Sequence, residues 1–205
     1  LVARQNVVLD MLLNRISSFA TIERALTAIE RRLSSQGFGS AGAAAPRVGI
    51  FVDVPNIIYA AERIGVTIDF GKLLHWLTRG RELVRASAYA PISDDPQQRL
   101  ETQKFVQPFV RGGYRIVTKP LKRFADGTMK GNFDVELAMD ILTMSDRLDV
   151  VSLVSGDGDF SHLVELVGSK GVRVEVVAFG ASTSADLRAI CDDYIELSTL
   201  LNELT

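Results

Sequence analysis

Five short apolar runs recur along residues 48–178: "VGIFV" at 48–52, "LVRASAYA" at 83–90, "YRIVT" at 114–118, "VVSLV" at 150–154 and "VRVEVVA" at 172–178. Helical spacing or helix-end signals separate each run from the next. A strand that is apolar on both faces must be covered twice, and strands joined through helices run parallel. The pattern therefore predicts an α/β domain in three layers, α/β/α, around a mostly parallel five-stranded sheet. Helices are expected over 56–64, 70–79 with Asp69 as N-cap, 94–111, 133–144 with Asn132 as N-cap, 160–168 and 184–190. In the third of these, Pro96 falls in the first turn and Gly112-Gly113 supplies the stop. A short piece over 194–204 closes the chain.

Upstream, Leu9, Leu12, Ile16, Phe19, Ile22, Leu26, Ile29 and Leu33 follow steps of three and four, with one slip after Phe19. That rhythm predicts one long amphipathic helix over 1–36, either a docking arm or a dimerisation arm. "GFGSAGAAAP" reads as a flexible linker, 37–46, so the boundary of the α/β domain, 47–205, falls there. The chain opens on Leu1 rather than Met, and a longer parent chain is expected. No apolar stretch suits a membrane span of about 18 residues. No secretory pattern opens the chain either, and a cytoplasmic location is expected.

Two of the apolar runs end in acid. "VGIFVDVPN" delivers Asp53 and then Asn56, and "VSLVSGDGDF" delivers Ser155, Asp157 and Asp159. Parallel sheets bind ligands outside the carboxyl ends of their strands, where strand order reverses. If the first and fourth strands are neighbours there, Asp53, Asp157 and Asp159 converge. Asp134, in the first turn of the helix "FDVELAMDIL", joins them. Asp140 lies six residues on, at about 100° per residue, and points to another side as a supporting group or a cap. Taken singly, an Asp that ends a strand is a helix cap or turn former more often than a ligand. Together these acids repel, and some would keep their protons at neutral pH unless a divalent cation were present. The chain has one cysteine and two histidines. A Cys-based zinc site is thereby excluded, and all-oxygen ligation suits Mg²⁺ or Mn²⁺.

Net charge is −2 for the whole chain, yet Arg111, Arg115, Lys119, Lys122, Arg123 and Lys130 face the single acid Asp126 within residues 111–130. This basic stretch runs directly into the helix bearing Asp134. Lys119, Lys122, Arg123 and Lys130 are the candidates for holding phosphates beside the acidic cleft. "KRFADGTMKG" carries a turn-forming Asp-Gly and predicts a hairpin or lid. Other chemistries fail on spacing. "GDGD" lacks the third Gly of a dinucleotide fingerprint, there is no G-x-S-x-G nucleophile elbow, and Pro55 occupies the place of a phosphatase acid.

"VGIFVDVPNI", "KGNFDVELAMDIL", "SGDGDFSHLVELVGSKGVRVEVVAFG" and "LRAICDDYIEL", in that order, resemble the NYN domain of the LabA-like branch, a relative of PIN-type nucleases. The resemblance spans 48–197 and implies a PIN-like, Rossmannoid sandwich with the first and fourth strands adjacent. It implies a Mg²⁺- or Mn²⁺-dependent ribonuclease site in which Asp53, Asn56, Asp134, Asp157 and Asp159 form the pocket. Asp53, Asp134 and Asp157 would hold the metal, with Ser155 and Asp140 behind them. Many members have Gly after the first Asp; Val54-Pro55 here is a bulkier pair, expected to narrow access to the metal. The function expected is hydrolysis of RNA, in single strands. The alternative is a weak or inactive scaffold that binds RNA or protein in regulation, paired as a homodimer through the N-terminal helix.

Overall fold

The computed structural model describes residues 44–93, 97–120 and 133–204, with the backbone alone of 122–123 and 129–130. The expected arm, 1–36, the linker up to residue 43, and the Asn132 cap lie outside the described residues. From Ala45 onward the chain forms one compact unit.

Six strands make the main sheet: β1 (Arg47–Asp53), β2 (Glu82–Ile92), β3 (Arg115–Pro120), β6 (Val150–Val154), β7 (Arg173–Ala178) and β8 (Asp193–Glu196). Their order is β3-β2-β1-β6-β7-β8, and every pairing is parallel. The expected count of five is thus corrected to six. The missed strand, "DYIE", lies at the sheet edge and is only half buried, so it carries no apolar run that would announce it. β4 (Lys122–Arg123) and β5 (Met129–Lys130) form the expected hairpin ladder.

Helices α1 (Val54–Arg63) and α2 (Phe70–Leu77) are accompanied by α3 (Asp134–Ser145), α4 (Ser161–Ser169), α5 (Ala185–Ile190) and α6 (Leu201–Leu204). The predicted N-cap of α2 is present, with Asp69 Oδ1 accepting from the Lys72 amide at 3.0 Å. Alternate residues of β1 part between two cores. Val48, Ile50 and Val52 pack with Ile57 and Leu73 on one side, and Phe51 packs with Leu137, Ile141 and Val164 on the other. This double burial makes the central strands continuously apolar.

The helix expected over 94–111 does not form over the described residues, 97–111. Among the described residues of that stretch there are turns and two 3₁₀ segments, Leu100–Thr102 and Gln107–Phe109. Pro108 supplies no N–H for an α-helical bond, and Arg111 adopts a positive φ of 62°. The Gln103 side chain pins the segment to the end of β2 by accepting from the Ser93 amide at 2.7 Å.

One buried charge ties the sheet to the α2–β2 connection. Glu175 of β7 is 1% exposed; it accepts from both terminal nitrogens of Arg81 at 2.7 Å and from Ser152 Oγ at 3.1 Å. Removing one partner leaves a buried carboxylate poorly compensated. Arg81→Met is expected to cost about 3 kcal/mol in urea unfolding, and adding Glu175→Leu should restore part of that loss.

Candidate metal centre

Reversal of strand order falls between β1 and β6, whose neighbouring carboxyl ends open onto one crevice. Asp53 is the last residue of β1, and Asp157 follows β6 by three residues. Asp134 opens α3. One carboxylate oxygen from each of these three residues lies within 4.8 Å of the others. The donor set is all oxygen and partly buried, which fits a hard divalent cation completed by water.

Asp53 stands at the N-cap position of α1 yet makes no capping hydrogen bond. Its Oδ2 instead accepts from Ser155 Oγ at 2.9 Å, and the same hydroxyl accepts from the Asp157 amide at 3.2 Å. The buried Ser155 thus couples two of the three acids. Asn56 reaches across with Oδ1 to the Gly156 amide at 3.0 Å, clamping the "GDGD" loop to α1. Asp157 is partly a turn former: its Oδ1 accepts from the Asp159 amide at 3.0 Å. Asp159 itself is exposed and lies outside the group of three.

The two glycines of "GDGD" have a steric reason. A Cβ at Gly156 would lie 2.5 Å from the Ser182 carbonyl oxygen, and one at Gly158 would lie 2.9 Å from Ser184 Oγ. The loop is seated backbone to backbone on residues 182–184, and the Ser184 amide donates to the Gly156 carbonyl at 2.9 Å. Asp157 is held by a neighbouring loop rather than by packing of its own side chain.

Asp140 does not join the acids. It accepts from the Tyr89 hydroxyl at 2.8 Å and lies 3.7 Å from Arg115. Tyr89 is fully buried, pairs in register with Asp53, and meets the Phe133 ring edge-on at 6.1 Å. Asp140 and Tyr89 therefore fix α3 against β2, and with it the placement of Asp134. The sequence reading missed Tyr89, Phe133 and the 182–184 loop; that loop leaves β7 at the same edge of the sheet, which was its available signal.

Of the expected phosphate-holding cations, Lys119 forms an ion pair with Glu136 that holds the Glu136 carboxyl below its usual range. The side chains of Lys122, Arg123 and Lys130 lie outside the described residues. Val54 packs wholly into the core, so only Pro55 of the bulkier pair reaches the surface. His162 is exposed beside Glu165.

A Rossmann-like parallel sheet with an acid-lined crevice at its switch point defines the class, that of PIN-like nuclease folds. The NYN domain family matches residues 47–199, and the chain belongs to it. It is 32% identical over 162 residues to the low amplitude and bright protein LabA of Synechococcus elongatus, covering 75% of this chain and 85% of that one. A crystal structure of a Vibrio parahaemolyticus protein of unknown function superposes with a TM-score of 0.66 at 31% identity, covering 77% of this chain and 96% of the other. Among the described residues no helix is long and apolar enough to cross a membrane.

Burial pushes the Asp53 carboxyl up to about 6, and Asp134 and Asp157 push the same way. The Ser155 hydroxyl and the Asn56 N–H, the latter short of a capping bond, oppose them. A carboxyl raised on folding binds its proton more tightly in the native state. Metal-free protein therefore loses stability from this group as pH rises from about 4 through about 6, by on the order of 2 kcal/mol. Asp53→Asn is expected to be more stable than the parent at pH 8 without metal, with the advantage vanishing near pH 4. Mn²⁺ at pH 8 should stabilise the parent and not the variant; urea unfolding at both pH values checks this.

Proposed function

We propose that this protein is a metal-dependent ribonuclease, hydrolysing phosphodiester bonds of single-stranded RNA at a carboxylate-bound Mg²⁺ or Mn²⁺. The observation that carries the reading is the meeting of Asp53, Asp134 and Asp157 within 4.8 Å at the switch point. Membership of a PIN-like nuclease family supports it. Asp53, Asp134 and Asp157 would hold the cation, which when bound polarises a phosphoryl oxygen and makes water a stronger nucleophile. Ser155 keeps Asp53 and the Asp157 backbone in register, and Asn56 fixes the loop between them. Asp159, exposed at the start of α4, is in reach of solvent water for proton transfer. Lys122, Arg123 and Lys130 would grip the RNA backbone, with Lys119 joining them only by leaving Glu136. The lone cysteine suits a reducing cytoplasm, where we place the protein.

A second reading, a scaffold that binds RNA or protein without cleaving it, draws support from one observation. Arg115 and Lys119 are paired with Asp140 and Glu136, so the positive charge of each is already offset within the protein. Both readings leave residues 1–36 as a docking or dimerisation arm on the strength of their heptad rhythm.

Asp53→Asn and Asp157→Asn are each expected to abolish Mn²⁺-stimulated cleavage of a labelled single-stranded RNA while circular dichroism stays native. Undiminished cleavage in both variants would exclude the site, and RNA binding without cleavage in the parent would favour the scaffold. Sedimentation of the chain with and without residues 1–36 separates the two roles: a dimer that becomes a monomer on removal marks a dimerisation arm, and an unchanged state marks a docking arm.

A further inference from the structure

The loop that seats Asp157 is itself held from below. Residues 179–184 leave β7 and fold on themselves: the Ser182 amide and the Thr183 hydroxyl donate to the Phe179 carbonyl at 2.9 and 2.8 Å. What fixes this turn to the sheet is a carboxylate at the end of β8. Glu196 Oε1 accepts from the Gly180 amide at 3.0 Å and from Ser198 Oγ at 2.8 Å. Its other oxygen, Oε2, lies 3.1 Å from the Tyr194 hydroxyl. That hydroxyl is 3.2 Å from Thr183 Oγ1, and Arg188 stacks over the Tyr194 ring at 4.3 Å while donating to the Gly180 carbonyl at 3.2 Å. Glu196, Tyr194 and Arg188 thus grip the turn by the amide and carbonyl of Gly180 and by the Thr183 side chain.

From this turn, contact passes directly to the acids. Ser184 donates to Gly156, and the 182–184 backbone leaves no room for a side chain at Gly156. One residue later stands Asp157. Charges 3–5 Å apart repel strongly, so a loop carrying Asp157 beside Asp53 must be restrained from outside. Ser155 and Asn56 restrain it on the β1 side; the Glu196 network is its counterpart on the β7 side.

We propose that Glu196 is a positioning residue for the metal centre, acting with Tyr194 through the 179–184 turn to hold Asp157 in reach of Asp53 and Asp134. The proposal rests on the metal-site reading above. It assigns a role to the edge strand that the apolar pattern did not reveal. The side chain touches neither metal nor substrate, and its effect is on where a ligand stands.

The test is Mn²⁺ affinity, measured on the full chain by calorimetry or by the spectrum of free Mn²⁺, at a temperature well below unfolding. Glu196→Ala should weaken binding about tenfold, the lower end of the loss that follows removal of an outer partner at a metal site. Glu196→Gln keeps an oxygen for the Gly180 amide and should recover most of it. Tyr194→Phe, which retains the ring and its packing, should weaken binding about threefold and carries the test if Glu196→Ala does not fold. Leu77→Ala, a core truncation at the opposite end of the strands, should lower the melting temperature with Mn²⁺ affinity unchanged. Parent-like affinity in Glu196→Ala and Tyr194→Phe would overturn the positioning role and leave the metal site standing. No Mn²⁺ binding by the parent would overturn both.

Discussion

Strands that run parallel cannot be joined by tight turns, and every one of them leaves the sheet at the same edge. That constraint governs this molecule. Because β1, β6 and β7 all exit at one rim, three loops distant in sequence are obliged to meet there, and the reversal of strand order between β1 and β6 leaves a crevice among them. Asp53 and Asp157 meet there because their strands are neighbours, and Asp134 joins them from the start of α3, which the Tyr89–Asp140 bond holds against β2.

Bringing carboxylates together is unfavourable in itself, and the surroundings are organised to resist that repulsion. Ser155 bridges Asp53 and the Asp157 amide; Asn56 pins Gly156; the 182–184 backbone presses on the loop from the other side. The elevated Asp53 carboxyl records the residual conflict, since burial and two like charges disfavour its ionised form. A doubly charged cation would remove that conflict, and its binding would then be coupled to the folding energetics of the same residues.

Much of this was legible in the chain. Five apolar runs with helices between them specified the layered parallel architecture, and the acid-tipped runs ending at Asp53 and Asp157 marked the rim. β8 was hidden because an edge strand with one neighbour and partial exposure needs no apolar run. The stretch 94–111 misled because its helical end signals are local, whereas Pro108 removes a helical donor and the Gln103–Ser93 bond ties the segment to the end of β2. Asp140 lies six residues beyond Asp134 on the helix and bonds to Tyr89 instead. Its partner, Tyr89, lies 51 residues away and no spacing rule could point to it.

The sequence by itself determined the class of fold, the acid-tipped ends of two strands and the family to which the chain belongs, because periodicity and motif spacing are properties of neighbours along the chain. Only the tertiary structure decided which acids share one spot, that Asp159 stands apart, and that Lys119 faces Glu136. Those outcomes depend on distances between strands and helices far apart in sequence, set by packing against Phe133, Tyr89 and the 179–184 turn rather than by any local preference.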